Sequence, residues 1–119
     1  MSLILNTGAY PPLLETRRLV LERAGHTVVT AAEDRDLLDA FHQHRFEVAV
    51  IGQSASPKLK RHLYDLIRRE CASVKILELT TPDIGKTLGA ADAWLEISHS
   101  ATEALAQRVS ELARSTKRN

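Results

Sequence analysis

The chain has 119 residues, of which 26% are charged and 44% hydrophobic, and its formal net charge is +1; this is the profile of one soluble domain over 1–119, with a polar tail from about residue 115. The near-neutral balance argues against a general pull toward nucleic acid or anionic membranes, the longest apolar runs, such as Val48 to Ile51, are too short to span a bilayer, and no basic region leading into an apolar one marks a secretory signal. The one cysteine, Cys71, excludes an internal disulfide and a multi-cysteine metal site, and it fits the reducing cytoplasm.

The run Leu3-Ile4-Leu5-Asn6-Thr7 reads as a buried strand closed by Gly8. Pro11 and Pro12 suit the opening of a helix over Leu13 to Ala24, which Gly25 ends. His26 to Ala31 is short and β-branched and predicts a second strand. Glu33 to His44 follows as a helix with Leu37, Leu38 and Phe41 on one face. Glu47 to Ile51, "EVAVI", is the most apolar strand and belongs at the centre of a parallel sheet.

Pro57 to Ala72 carries Leu59, Leu63, Leu66, Ile67 and Cys71 at spacings of three and four, the stripe of an amphipathic helix. Cys71 on that stripe reads as core. Val74 to Thr80 is a fourth strand. The segment "PDIGKTLGA" reads as a loop with at most a short helix, because Gly85 and Gly89 lower helix propensity. Ala93 to Ile97 is a fifth strand. Ser100 with Glu103 has the spacing of a capping box, opening a last helix whose core face is Leu105, Val109 and Leu112.

Five strands alternating with helices call for right-handed crossovers and a sheet covered on both faces. The economical arrangement is a flavodoxin-like doubly wound parallel sheet of order 2-1-3-4-5, with the helix before the fifth strand shortened or missing. In that fold ligands sit beyond the carboxyl ends of the strands, so the loops after Thr7 and after Ile51 should meet. Tyr10, Gln53 and Ser54 are the polar or aromatic residues at that mouth and the candidates for a small pocket. Ser54 and Ser56 have no paired base that would make them nucleophiles, and turn chemistry accounts for them. The "TGAYPP" loop lacks the spacing of a phosphate-binding loop. His42 and His44 are two apart on a helix and point to different faces, so no zinc site is expected. Lys58, Lys60, Arg61, Arg68 and Arg69, interspersed with Asp65 and Glu70, read as a solvated face rather than a nucleic-acid surface.

Taken together, these segments resemble the receiver domain of two-component response regulators over nearly the whole chain. "LLETRRLVLERAGHTVVTAAEDRDLLDAF" is similar in style to that family's first helix, second strand and second helix. "FEVAVI" stands at its hydrophobic third strand, and "SVKILELTT" at its fourth strand with the terminal hydroxyl residue. "GAADAWLEIS" resembles its Gly-Ala-Asp-x-aromatic-Leu segment. Active members hold a divalent metal on an acidic pair, accept phosphate on an aspartate after the third strand, and sense it with a Thr or Ser and a Lys.

Carried onto this sequence, the acidic pair falls at Gly8 and Ala9, the phosphoacceptor at Gly52, the lysine at Ile97 and its following proline at Ser98. Only Thr80 keeps the expected type, and Trp94 stands at the switch-aromatic position. Gly8 and Ala9 have no hard oxygen ligand for Mg²⁺, Gly52 has no carboxylate nucleophile, and Ile97 has no charge to balance a phosphoryl group. The resemblance thus implies a pseudo-receiver: a cytoplasmic, non-enzymatic signalling domain with no metal or cofactor. It would contact a protein partner, either another chain or a second copy in a homodimer, with Thr80 and Trp94 as remnant or switch residues. The shortened helix falls in the region the family uses for output. Two other readings remain open: a small-ligand domain or enzyme using Tyr10 and Gln53 at the strand mouth, or a piece of a larger regulator with its output domain elsewhere.

Overall fold

A computed structural model describes residues 2–97 and 102–117. Five parallel strands, β1 (Leu3–Thr7), β2 (Thr27–Thr30), β3 (Val48–Ile51), β4 (Lys75–Thr80) and β5 (Ala93–Glu96), form one sheet of order β2-β1-β3-β4-β5. The described helices are α1 (Pro11–Arg23), α2 (Asp34–Gln43), α3 (Pro57–Glu70) and α4 (Thr102–Lys117). This is the expected flavodoxin-like order, with β1 between β2 and β3. Leu5 pairs with Val29 on one side and with Ala49 on the other.

Alternation along the strands divides the core between the two faces of the sheet. Ile4, Val48, Val50, Leu77 and Leu79 face one way, toward Leu21 of α1 and Leu105 and Val109 of α4. Leu5, Ala49, Ile51 and Ile76 face the other way, toward Leu37 of α2 and Leu63, Leu66 and Ile67 of α3. All four residues of β3 are fully buried, as a central strand covered on both faces requires. Each valine, leucine or isoleucine buried in this way contributes about 1.5–3 kcal/mol through removal from water.

Local chemistry sets the helix ends. Pro11 and Pro12 open α1, where a missing backbone N–H costs nothing. Gly25 adopts φ +96° just beyond it, a conformation that a Cβ disfavours. The Ser56 hydroxyl accepts from the Leu59 N–H at 3.1 Å and so caps α3, with Pro57 at its first position.

Between β4 and β5 the chain makes only turns and irregular backbone, so the helix expected to be shortened or missing there is missing. Gly85, at φ +72°, accommodates one of these turns. At the other end, the helical backbone of α4 continues to Lys117. Ser100 of the expected capping box, together with Ser98, lies outside the described residues. Among the described residues no helix is long and apolar enough to cross a membrane.

Candidate functional site

The loops after β1 and β3 do meet. The Gly52 N–H donates to the Thr7 carbonyl at 2.9 Å, and a Cβ on Gly8 would lie 3.4 Å from the Gly52 Cα. The space beside Gly52 is filled by the guanidinium of Arg17, a residue of α1 that is only 5% exposed. Arg17 lies on the same helical stripe as Leu14 and Leu21 and is buried along with them. It therefore reaches over the carboxyl end of the sheet instead of toward solvent.

Its Nη1 donates to Asn6 Oδ1 at 2.8 Å and to the Thr7 carbonyl at 3.3 Å, while Nη2 donates to Gln53 Oε1 at 3.2 Å. Asn6, fully buried on β1, is oriented for this by donating its amide to the Leu14 carbonyl at 2.9 Å and to Thr30 Oγ1 at 3.2 Å. Every acceptor around Arg17 is neutral. None of the ion pairs among the described residues includes it. Burial without a counter-ion lowers its pKa to about 10, which leaves the group protonated at neutral pH.

This cation explains the glycine. A Cβ at position 52 would stand 2.7 Å from Nη2 and 3.1 Å from Nη1 of Arg17. Gly52 does not adopt positive φ, so the requirement is for space and not for an unusual backbone. The chemistry of these positions does not fit the divalent metal that the resemblance implies for active members. Gly8, Ala9 and Gly52 offer only backbone oxygens, and a fixed positive charge sits among them.

A second buried charge lies on the α3 side of the sheet. Lys60, 2% exposed, donates from Nζ to Glu78 Oε2 at 2.8 Å and to the Leu79 carbonyl at 2.8 Å. Glu78, fully buried on β4, also accepts from the Thr87 N–H at 3.0 Å and the Leu88 N–H at 2.8 Å. One carboxylate thereby holds the helix-less β4–β5 connection against the sheet. Lys60 thus departs from the solvated face expected of α3. Arg68 does so in part: it is half-buried and donates to the Val74 carbonyl at 2.6 Å and to Asp92 Oδ2 at 2.8 Å.

Of the three pocket candidates Tyr10, Gln53 and Ser54, Gln53 is the one that hydrogen-bonds Arg17. Tyr10 is 54% exposed, with its carbonyl accepting from the first turn of α1, and Ser54 is exposed. Thr80 is buried at the end of β4, and its carbonyl accepts from the Ile97 N–H at 2.8 Å. Trp94 is half-buried. Its indole N–H donates to the Leu88 carbonyl at 2.9 Å, and Lys86 Nζ stands 4.5 Å from the ring centroid. Cys71 is partly buried against the α2–α3 side of the core and also faces a surface groove with Phe41, His44, Arg45, Glu70 and Ser73. Arg17, Asn6, Lys60 and Glu78 were not anticipated from sequence. The available signal was a charged residue at core spacing: Arg17 between Leu14 and Leu21, Lys60 three before Leu63, and Glu78 on the strand face shared by Ile76 and Thr80.

No protein-family model and no curated protein matches this sequence. Among solved structures, NtrX from Brucella abortus in complex with ADP superposes with a TM-score of 0.82 at 15% identity, covering 98% of this chain and 27% of that one. The response regulator TrrA of Thermotoga maritima, in complex with Mg²⁺ and BeF, gives a TM-score of 0.72 at 20% identity, covering 94% of this chain and 99% of that one. A chemotaxis response regulator of Vibrio cholerae gives a TM-score of 0.73 at 21% identity, covering 94% of this chain and 98% of that one. This chain therefore spans about a quarter of NtrX and nearly all of the two shorter regulators. At these identities the likeness is one of fold: the chain folds as the receiver domains of response regulators do.

Proposed function

We propose that this chain is a receiver-like signalling domain that works in the cytoplasm without aspartyl phosphorylation, through contact with a protein partner. The observation that carries this reading is the Arg17 guanidinium resting on Gly52, at the position where an active receiver needs a carboxylate. A phosphoryl acceptor must be a nucleophile, and backbone supplies none. The five-stranded sheet is kept although the helix before β5 is missing, so what remains to transmit a signal is surface.

Support for a protein partner comes from the fold. TrrA is also solved in complex with the histidine kinase ThkA. The surface best suited here is the β4–β5 connection with β5, where Lys86 and the half-buried Trp94 stand together and Ile84 is 52% exposed. A lone Trp beside a cation is a favoured interface anchor. A second copy of the chain could occupy the same surface as readily as another protein.

Incubation with acetyl phosphate and Mg²⁺, followed by intact-mass measurement, is expected to leave the protein at its unmodified mass. One phosphoryl group per chain, lost on treatment with hydroxylamine as an acyl phosphate is, would overturn the reading.

A further inference from the structure

We propose that Arg17 is the receptor of a small oxyanion site at the strand mouth, in which a carboxylate or phosphate oxygen displaces the Gln53 amide and pairs with the guanidinium. Arg17 is nine-tenths buried, and its acceptors are the Asn6 amide oxygen, the Thr7 carbonyl and the Gln53 amide oxygen. A buried cation with neutral acceptors keeps part of its desolvation cost uncompensated, and an anion is the ligand that removes it.

The three acceptors are not equally fixed. Asn6 is fully buried and held by two further hydrogen bonds, and Thr7 O belongs to β1. Gln53 is partly exposed, its side chain makes no second hydrogen bond among the described residues, and its contact with Nη2 is long at 3.2 Å. Charge-assisted bonds from a guanidinium are shorter, at about 2.7–2.9 Å, and roughly twice as strong. Gln53 is therefore the acceptor an anion can replace, and it stands on the solvent side. In the two loops that meet here, Ala9, Tyr10 and Ser54 are all exposed and carry no negative charge to repel the ligand. The site differs from a phosphoacceptor in kind: its ligand comes and goes without a covalent bond.

The test follows the Arg17 Nε–H resonance and the thermal midpoint while sodium phosphate and sodium acetate are titrated separately, each against sodium chloride at matched ionic strength. Phosphate or acetate, or both, should give a saturable resonance shift and raise Tm by about 4 °C beyond chloride at saturation. The response to each salt distinguishes the two ligand chemistries. Gln53→Glu, which keeps Arg17 and the side-chain shape, places a carboxylate on the guanidinium permanently; it should melt above the wild type and no longer respond to either anion. A wild-type response no larger than that to chloride, or a Gln53→Glu variant melting at or below the wild type, overturns the proposal.

Discussion

Lys60→Met is expected to destabilise the domain by about 3–5 kcal/mol, the usual cost of leaving one member of a buried ion pair without its partner. The Glu78 carboxylate is fully buried, and in this variant only the Thr87 and Leu88 N–H groups would remain to satisfy it. Methionine nearly matches the aliphatic length of lysine, so the loss reports charge rather than volume. Urea unfolding measures it directly as a lower midpoint at unchanged slope.

The double variant Lys60→Met with Glu78→Gln removes both charges and keeps an oxygen facing the two loop amides, so it should recover more than half of the loss. A Lys60→Met midpoint equal to the wild type would mean that the pair is solvated, contrary to its burial.

Gly52→Ala is expected to cost about 1–3 kcal/mol, the range for forcing extra volume into a packed site. The added methyl would fall inside contact distance of Nη2, at the end of a side chain that three hydrogen bonds hold in place. The same substitution in an Arg17→Ala background should cost little, because the obstacle is gone. A double-mutant cycle by denaturant unfolding should therefore give a coupling of about 1 kcal/mol or more. Additive effects would show that Gly52 is not there to make room for Arg17.

The fold was legible because its signals are periodic. Runs such as Val48 to Ile51, alternating with helical stripes such as Leu63, Leu66 and Ile67, fix the element types, and the crossover rule then limits the strand order. The missing helix before β5 was legible in Gly85 and Gly89. The candidate site was legible as a set of absences, at Gly8, Ala9 and Gly52, and in Gln53 at the strand mouth. What fills the space was hidden because adjacent arginines look alike in sequence. Arg18 is exposed enough to pair with Glu15 and Glu22 on the surface, while Arg17, one position away, turns inward. A step of one residue rotates a helical side chain by about 100°, and that rotation separates a surface ion pair from a buried receptor. Lys60 was hidden in the same way among Lys58 and Arg61.

All four strand pairings are parallel, so none of them can begin as a hairpin. Even the nearest pairing, β1 with β2, must wait for the chain to traverse α1, and contacts of this non-local kind form slowly. Arg17 lies inside that first crossover, whereas Gly52 and Gln53 follow β3, so the guanidinium leaves water only once β3 has docked. Interactions completed that late have little bearing on how quickly the native state is reached, but they govern how quickly it is lost. On a chevron plot, Gly52 and Arg17 substitutions should accordingly move the unfolding limb and leave the refolding limb in place. That result would make the buried cation a timer on the lifetime of the folded molecule, set independently of its rate of assembly.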